Sequence, residues 1–569
     1  MDMHHRGPST AITELQGTAE QGRLVLAEVL DRIEAAFPAA ARRHRLGPGA
    51  WLVPLGAGGN GSMLIAIAPA CRPRDRGNAQ LVLSATLLNC AEVGEADAAR
   101  ALGCLQGVPF TAFETDSFAT QLPLLAGLPE QVPDKPLGKC GVVLVGHLLS
   151  DLVVQAQTLI ALGARPEAMT VLKKDYPYKL RQRVEAHLAG LGIAVLPLSD
   201  AETALRRHAA RVAEPSVVID DGGQVLAALT RLAPELLPCF RGLVEQSVSG
   251  VEGLDDADSD ADVDSDADTN TGTNTGTNTG TDGHADARTE IDTGAGTDGH
   301  ADVDTPADTA ADGAADTADG AALVRLPLSL PLSLPVFSAA RSAVKRGIEA
   351  HWIAESVVRS IRDLLPGESF DEASALVVGY GTVGAQVAAV LRGQRMRVAV
   401  HDTGWRKLVA AHEAGFLTAP DLAALLDGHR PTLIVSATGR TSLGGEDLDF
   451  LPGDCFIASV SGCGSEIDVR GLAERAERVE EVARVGVRYT LANGPVTVLA
   501  DVLQVPSSRG DRGPVRQSDL TMAVLAWGAC TLARPGHGFS AGHDVARTDA
   551  AIVESGLVER YYRLYGPDC

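Results

Sequence analysis

Apolar positions in this chain follow two rhythms. Short apolar runs bounded by glycine or charge predict buried parallel strands. They stand at Val142–Val145, Met169–Leu172, Ile193–Leu196, Ser216–Ile219, Ala375–Val378, Arg397–Val400, Leu433–Ser436 and Cys455–Val460. Helical spacing fills the gaps, over Asp151–Leu162, Tyr178–Leu191, Ile348–Leu365 and Ala385–Leu391, with a late helix at Ser518–Leu532. This alternation predicts doubly wound parallel sheets whose ligands sit at strand C-termini. Nearer the start, Thr10–Arg45 reads as helix through Leu24, Leu26, Val29, Leu30 and Ile33. Trp51–Ala68, which contains GAGGNGS, and Leu81–Leu88 read as strands, and Asp97–Leu105 as helix. No chemistry attaches to Trp51–Glu130, which predicts an added α/β lobe. Val487–Leu491 and Val496–Leu499 flank Asn493-Gly494, a hairpin signal.

The rhythm fails at Glu252–Gly320, almost entirely Asp, Thr, Gly, Ala and Asn. So little apolar surface cannot offset the entropy of ordering, and a disordered acidic insert is expected. Its Asp-x-Asp spacing invites a calcium reading, but neither the EF-hand loop nor the G-G-x-G-x-D repeat is present. Val324–Phe337, rich in Pro and Leu, predicts an extended return.

Charge changes the picture only through that insert. It holds about 20 acids against the single base Arg288, so of the formal −24 only about −5 belongs to the remaining chain. No basic stripe suggests nucleic acid. No apolar run is long enough for a membrane span, and the N-terminus lacks a secretory pattern. The nine cysteines are scattered without any C-x-x-C pair, which predicts reduced thiols in a cytoplasmic protein and no metal site.

The candidate chemistry begins at Gly379-Tyr380-Gly381-Thr382-Val383-Gly384. A lone G-x-G-x-x-G can be a glycine-rich turn in some other α/β domain. Here it follows one predicted strand and opens a helix, and a second strand ends at Asp402. That order suits a dinucleotide: Gly379 for the turn, Gly381 for the approach of a pyrophosphate, Gly384 for helix–strand packing. Asp402 stands where a carboxylate accepts from an adenosine ribose, which favours NAD over NADP.

Several separated motifs resemble S-adenosylhomocysteine hydrolase (adenosylhomocysteinase), across roughly 140–251 and 342–527. Val218–Gly223 is similar to that family's "ILDDGG". Leu236-Leu237-Pro238 with Arg241-Gly242 and Gly250-Val251 is similar to "LLPGIRGISEETTTGV". The glycine loop is similar to "GYGDVGKG", Glu466–Val469 matches "EIDV", and His147 matches the histidine of "LHMTVET".

The resemblance implies a Rossmann-type NAD-binding domain embedded in a second doubly wound α/β substrate domain. It also implies a homo-oligomer. Its implied reaction is a redox-primed elimination: NAD⁺ oxidises a ribose 3′-OH, a base removes the C4′ proton, the 5′ thiol leaves, water adds, and the ketone is reduced again. The expected boundaries are an N-terminal helix and lobe over 1–135, substrate domain over 136–251, insert over 252–322, and substrate return with hinge over 323–355. The NAD domain follows over 356–495 and a final return over 496–569.

Carried over position by position, the resemblance implies roles for His147, Asp221, Lys345 and Glu349, the last in place of the family's aspartate. It places Thr438-Gly439, Ser247 and Ser249 beside the cofactor, with Gly379, Gly381, Thr382, Val383, Gly384 and Asp402. Read without it, His147 is a satisfied loop histidine and Lys345 with Glu349 an exposed i,i+4 pair. Asp220 reads as structural, Cys463 as a buried structural thiol, and Lys173-Lys174-Asp175-Tyr176 as a solvated strand end.

Other positions depart from the family. Gln246 replaces a glutamate, Ala350 replaces an asparagine, and Ser461–Ser465 lacks the second catalytic histidine. The expectation is therefore a divergent NAD-binding relative doing redox-assisted chemistry on a nucleoside-like or small polar substrate, with S-adenosylhomocysteine hydrolysis weak or absent. The alternatives are an NAD-dependent dehydrogenase or reductase on the same scaffold, and a non-catalytic NAD-binding regulator.

Overall fold

A computed structural model describes residues 10–55, 61–69, 79–88, 95–174, 176, 178, 180–247, 333–460, 466–483, 485–499 and 515–566. The acidic insert, Ser249, Ser461–Ser465 with Cys463, and 500–514 lie outside them. The described residues fall within one compact unit and form three sheets.

The first sheet is antiparallel, in the order Thr10–Gly17, Ala79–Leu88, Gly61–Pro69, Ala50–Leu55, His44–Gly47. Its first strand corrects the expected helix over Thr10–Arg45. Thr10–Gly17 alternates exposed and buried and pairs antiparallel with Ala79–Leu88. The helix runs only over Ala19–Ala36. It starts there because the Thr18 hydroxyl accepts from the Gln21 N–H while the Gln21 side chain accepts from the Thr18 N–H, a capping box. Its buried stripe (Val25, Leu26, Val29, Leu30, Ile33) covers one face of the sheet.

The second sheet has the order Gly542–His543, Pro335–Phe337, Phe240–Ser247, Ser216–Asp221, Gly141–Gly146, Met169–Lys173, Ala194–Pro197, all parallel. Gly141–Gly146 and Ser216–Asp221 are buried at every position, as strands covered on both faces must be. The helix Val515–Ala533 lies in the core of this sheet, with Leu520, Val524, Leu525, Ala529 and Leu532 packed among Val142, Leu144, Val217 and Val244. Each of its buried Leu and Val side chains contributes roughly 1.5–3 kcal/mol. Asp519 ties three distant segments together. It accepts from the N–H groups of Leu124 and Leu125 at 2.8 Å and from the Tyr565 hydroxyl at 2.7 Å.

The third sheet runs Leu417–Thr418, Arg397–His401, Ser374–Val378, Leu433–Ser436, Cys455–Ser459, Gly494–Leu499, Gly486–Leu491, Arg478–Val482. The hairpin at Asn493-Gly494 is present, and its second strand pairs parallel with Cys455–Ser459. Gly494–Leu499 therefore stays in this sheet, and the chain returns toward the second sheet only after it, not from 496. Among the described residues no helix is long and apolar enough to cross a membrane.

Candidate active site

Each large sheet has one place where the chain reverses its direction of strand addition, and a crevice opens at the strand ends there. In the third sheet the chain adds Arg397–His401 and Leu417–Thr418 on one side of Ser374–Val378, then returns to the other side with Leu433–Ser436. Gly379–Gly384 lies at that reversal.

Three glycines divide the work. Gly379 has φ +99, and a Cβ on it would lie 2.8 Å from the Ala437 carbonyl oxygen. A Cβ on Gly384 would lie 2.0 Å from the Gly379 oxygen, so the helix Thr382–Gly393 could not dock. Gly381 has no atom within 4 Å of its would-be Cβ, leaving its approach open. Thr382 and Val383 form the first turn of the helix, whose N–H groups offer an anion site. Asp402 closes the loop, accepting from Tyr380 N–H at 2.7 Å and Gly404 N–H at 2.8 Å. An open glycine, a helix N-terminus and a fixed carboxylate fit a dinucleotide.

Thr438 and Gly439 sit across the reversal, and both backbone N–H groups donate to Glu466 Oε1 at 2.6 Å. Glu466, wholly buried, also accepts from the Ser459 hydroxyl at 2.6 Å and Val460 N–H at 2.9 Å. One carboxylate thus fixes the ends of two adjacent strands.

In the second sheet the reversal lies between Gly141–Gly146 and Ser216–Asp221. His147 follows the first strand and Asp221 ends the second, so topology brings together residues 74 positions apart. His147 Nε2 lies 3.2 Å from Asp221 Oδ2, and Lys174 Nζ donates to the same oxygen at 2.6 Å. The Tyr178 hydroxyl bonds His147 Nδ1, and the Tyr176 ring stacks on the imidazole at 5.2 Å. Burial alone would raise the Asp221 carboxyl, but Lys174 and His147 hold it well below the usual carboxylate range.

This corrects the reading of Lys174 and Tyr176 as a solvated strand end. The Lys174 side chain is only 14% exposed, and both residues face the crevice chemistry. No local pattern signals this, because the carboxylate that holds Lys174 lies 47 residues away.

Asp220 points to the other face of its strand, accepts from Leu226 N–H at 2.9 Å, and is pushed by burial up to about 6. Beside it Glu245, next in the sheet, is pushed by burial up to about 7. Arg341 Nε lies 3.4 Å from Glu245 and His543 Nδ1 3.7 Å. Sequence reasoning passed over Glu245; its place directly before Gln246 was the available signal.

Lys345 and Glu349 belong to a single π-helical turn, Lys345–Glu349, leading into the helix Ala350–Leu364. Such turns often mark functional positions. Lys345 Nζ lies 3.2 Å from Glu349 Oε2 and donates to the Gln246 carbonyl. Gln246 precedes Ser247, which pairs with Asp221 and accepts from Gly222 N–H at 3.2 Å. Both side chains are less than a fifth exposed, so the pair is not a solvated surface bridge. With Ser342, Ile348, Thr521 and Val524 they line a small recess of about 20 Å³, room for about one water molecule.

Residues 351–505 match the family model described as S-adenosyl-L-homocysteine hydrolase, NAD binding domain. An adenosylhomocysteinase from Saccharolobus solfataricus is 29% identical over 174 residues, covering 30% of this chain and 40% of that protein. Over that stretch the chain is a distant homologue of the adenosylhomocysteinases. An S-inosyl-L-homocysteine hydrolase from Methanopyrus kandleri is 27% identical over 187 residues, 32% of this chain and 42% of that one. The chain thus spans about two-fifths of the length of these relatives. Among solved structures, a transhydrogenase from Sinorhizobium meliloti is 13% identical with a TM-score of 0.29, covering 67% of this chain and 90% of that one. A score that low carries no argument. The adenosylhomocysteinase model falls on the third sheet and its flanks, and the cluster around His147 and Asp221 lies outside it.

Proposed function

We propose that this chain holds NAD⁺ at the Gly379–Gly384 loop and carries out redox-assisted chemistry on a nucleoside-like or other small polar substrate at the His147–Asp221 crevice. The observation that carries this reading is the pairing of two switch-point crevices in one compact unit. One presents open backbone at Gly381, the other ionisable side chains. Bound NAD⁺ would supply a hydride acceptor that later returns the hydride. The chain's own residues then do the rest. Lys345 carries the proton of the substrate alcohol. Glu349, one turn on, serves as acid and base at the neighbouring carbon. Asp221, kept ionised by Lys174, accepts from substrate hydroxyls, and His147 lies beside it. Ser247 stands one strand over at the same height.

Gln246 exchanges a charged ribose acceptor of the family for a neutral amide, Ala350 removes a polar side chain, and the sequence lacks the second catalytic histidine, so S-adenosylhomocysteine cleavage is expected to be slow or absent. The test is direct. Purified protein denatured in acid should release NAD⁺, and addition of adenosine to NAD⁺-loaded protein should produce absorbance at 340 nm. A preparation that neither contains nor binds NAD⁺ overturns the reading.

A further inference from the structure

The first sheet has one covered side and one bare side. The helices Ala19–Ala36 and Glu95–Gln106 pack on the same side, where Val29, Ile33 and Leu105 meet Ile65, Leu83 and Ala85. On the opposite side Leu52, Leu64, Val82 and Leu88 take part in none of the buried cores formed by the described residues. An antiparallel sheet with one side in water alternates apolar with polar residues. Here the three central strands, Ala79–Leu88, Gly61–Pro69 and Ala50–Leu55, contain no Asp, Glu, Lys or Arg, in a chain that is 21% charged. Beside them Ile12 is 65% exposed. Monomers rarely leave so wide an uncharged apolar face to water.

The strand register sorts the bare side into rows. Leu52, Leu64 and Thr86 stand side by side in one, and Ala50, Ala66 and Ser84 in the next. A two-fold axis lying in the plane of contact, across the strands and between these rows, lays each row on the other row of a second copy. Leu64 then stands over Ala66 of its twin and Leu52 over Ala50, a large side chain over a small one each time. Glu14, at the sheet edge in the row of Val82, is carried to the opposite end of the face from its own twin, so like charges do not meet.

We infer that two copies of this chain associate through the bare side, sheet against sheet about 10 Å apart. The neutrality that leaves the face poorly hydrated suits a second copy, because neither sheet then buries an unpaired charge. Five strands about 4.8 Å apart, with rows spanning about 24 Å, outline roughly 550 Å² per copy. Two copies give about 1,100 Å², past the roughly 1,000 Å² of a specific interface. The face precedes residues 351–505, so the inference stands apart from the adenosylhomocysteinase match and from the proposed function.

The test is sedimentation of the full chain with two charge substitutions, Leu64→Glu and Ala66→Lys. Wild type should sediment with at least twice the mass of one chain. Each variant alone sets two charges against apolar partners, so its dissociation constant should rise about 100-fold or more and its mass should halve. An equal mixture of the two should recover the wild-type mass. In the mixed pair one carboxylate faces one ammonium, and the other contact is again Leu64 over Ala66. Co-expression of the two chains serves where either alone fails to fold. A wild-type protein that stays a single chain overturns the inference and leaves the face to another segment of the same chain. Variants that keep the wild-type mass overturn it too, as does a mixed or co-expressed pair that fails to associate.

Discussion

The two crevices share a topology and differ in material. The one at Gly379–Gly384 is made of backbone, with missing Cβ atoms, N–H groups at a helix start, and two carboxylates, Asp402 and Glu466, tied down by N–H donors. The one at His147–Asp221 is made of side chains that can ionise, His147, Lys174, Asp221 and Lys345, mostly buried, with Asp220, Glu245 and Arg341 behind them on the other face of the strands. A backbone crevice holds a cofactor's shape without protonation states of its own. A side-chain crevice can move protons, and its stability follows pH and charge pairing. The division matches what a bound redox cofactor and a reacting substrate would each require.

The largest effect should come from breaking the backbone crevice sterically. Gly384→Val places a Cβ about 2.0 Å from the Gly379 oxygen, which only a shifted helix can relieve. We expect loss of bound NAD⁺ and destabilisation of about 3 kcal/mol or more, read by urea unfolding. Next comes Lys174→Met, which leaves Asp221 buried without its cation. Breaking such a pair costs about 3–5 kcal/mol. The melting temperature should drop strongly while the glycine loop still binds NAD⁺. A loss of NAD⁺ binding here would mean that the two crevices are not separable.

A third, smaller effect is a slope against pH. Burial pushes Glu245 above its unfolded value, to about 7. Its contribution is full below the unfolded value and is lost as pH rises through about 7, despite Arg341, Lys345 and His543 nearby; Asp220 pushes the same way. Wild-type stability should therefore fall between about pH 5 and 8, by up to about 3 kcal/mol from this group. Glu245→Gln should flatten the slope, as read by melting temperature at each pH. The smallest change in stability is expected of Gly381→Ala, whose methyl meets nothing in the protein. Stability should stay within about 0.5 kcal/mol of wild type while NAD⁺ affinity falls, as read by calorimetry.

Legibility followed the same division. The backbone crevice announces itself locally, since strand, glycines, helix, strand and acid all fall within about 30 residues, and each of these elements forms. The helix Ala19–Ala36 was legible by its spacing, but the preceding strand was not. Thr10–Gly17 is too short to outweigh the helical rhythm after it and is defined by a partner strand about 70 residues on. Lys174, Glu245 and Tyr178 were illegible as chemistry for the same reason. Asp221 is 47 residues from Lys174, and Arg341 is 96 from Glu245. Topology, not local pattern, makes them neighbours.

The helix Val515–Ala533 has a consequence for synthesis. It fills the centre of the sheet whose strands at 141–247 leave the ribosome almost 300 residues earlier. At about 5–20 residues per second, the surface of Val142, Leu144 and Val217 stays uncovered for roughly 15–60 s. A nascent chain of this protein should therefore carry a chaperone on its first half until translation has nearly finished, and fragments ending before residue 515 should precipitate.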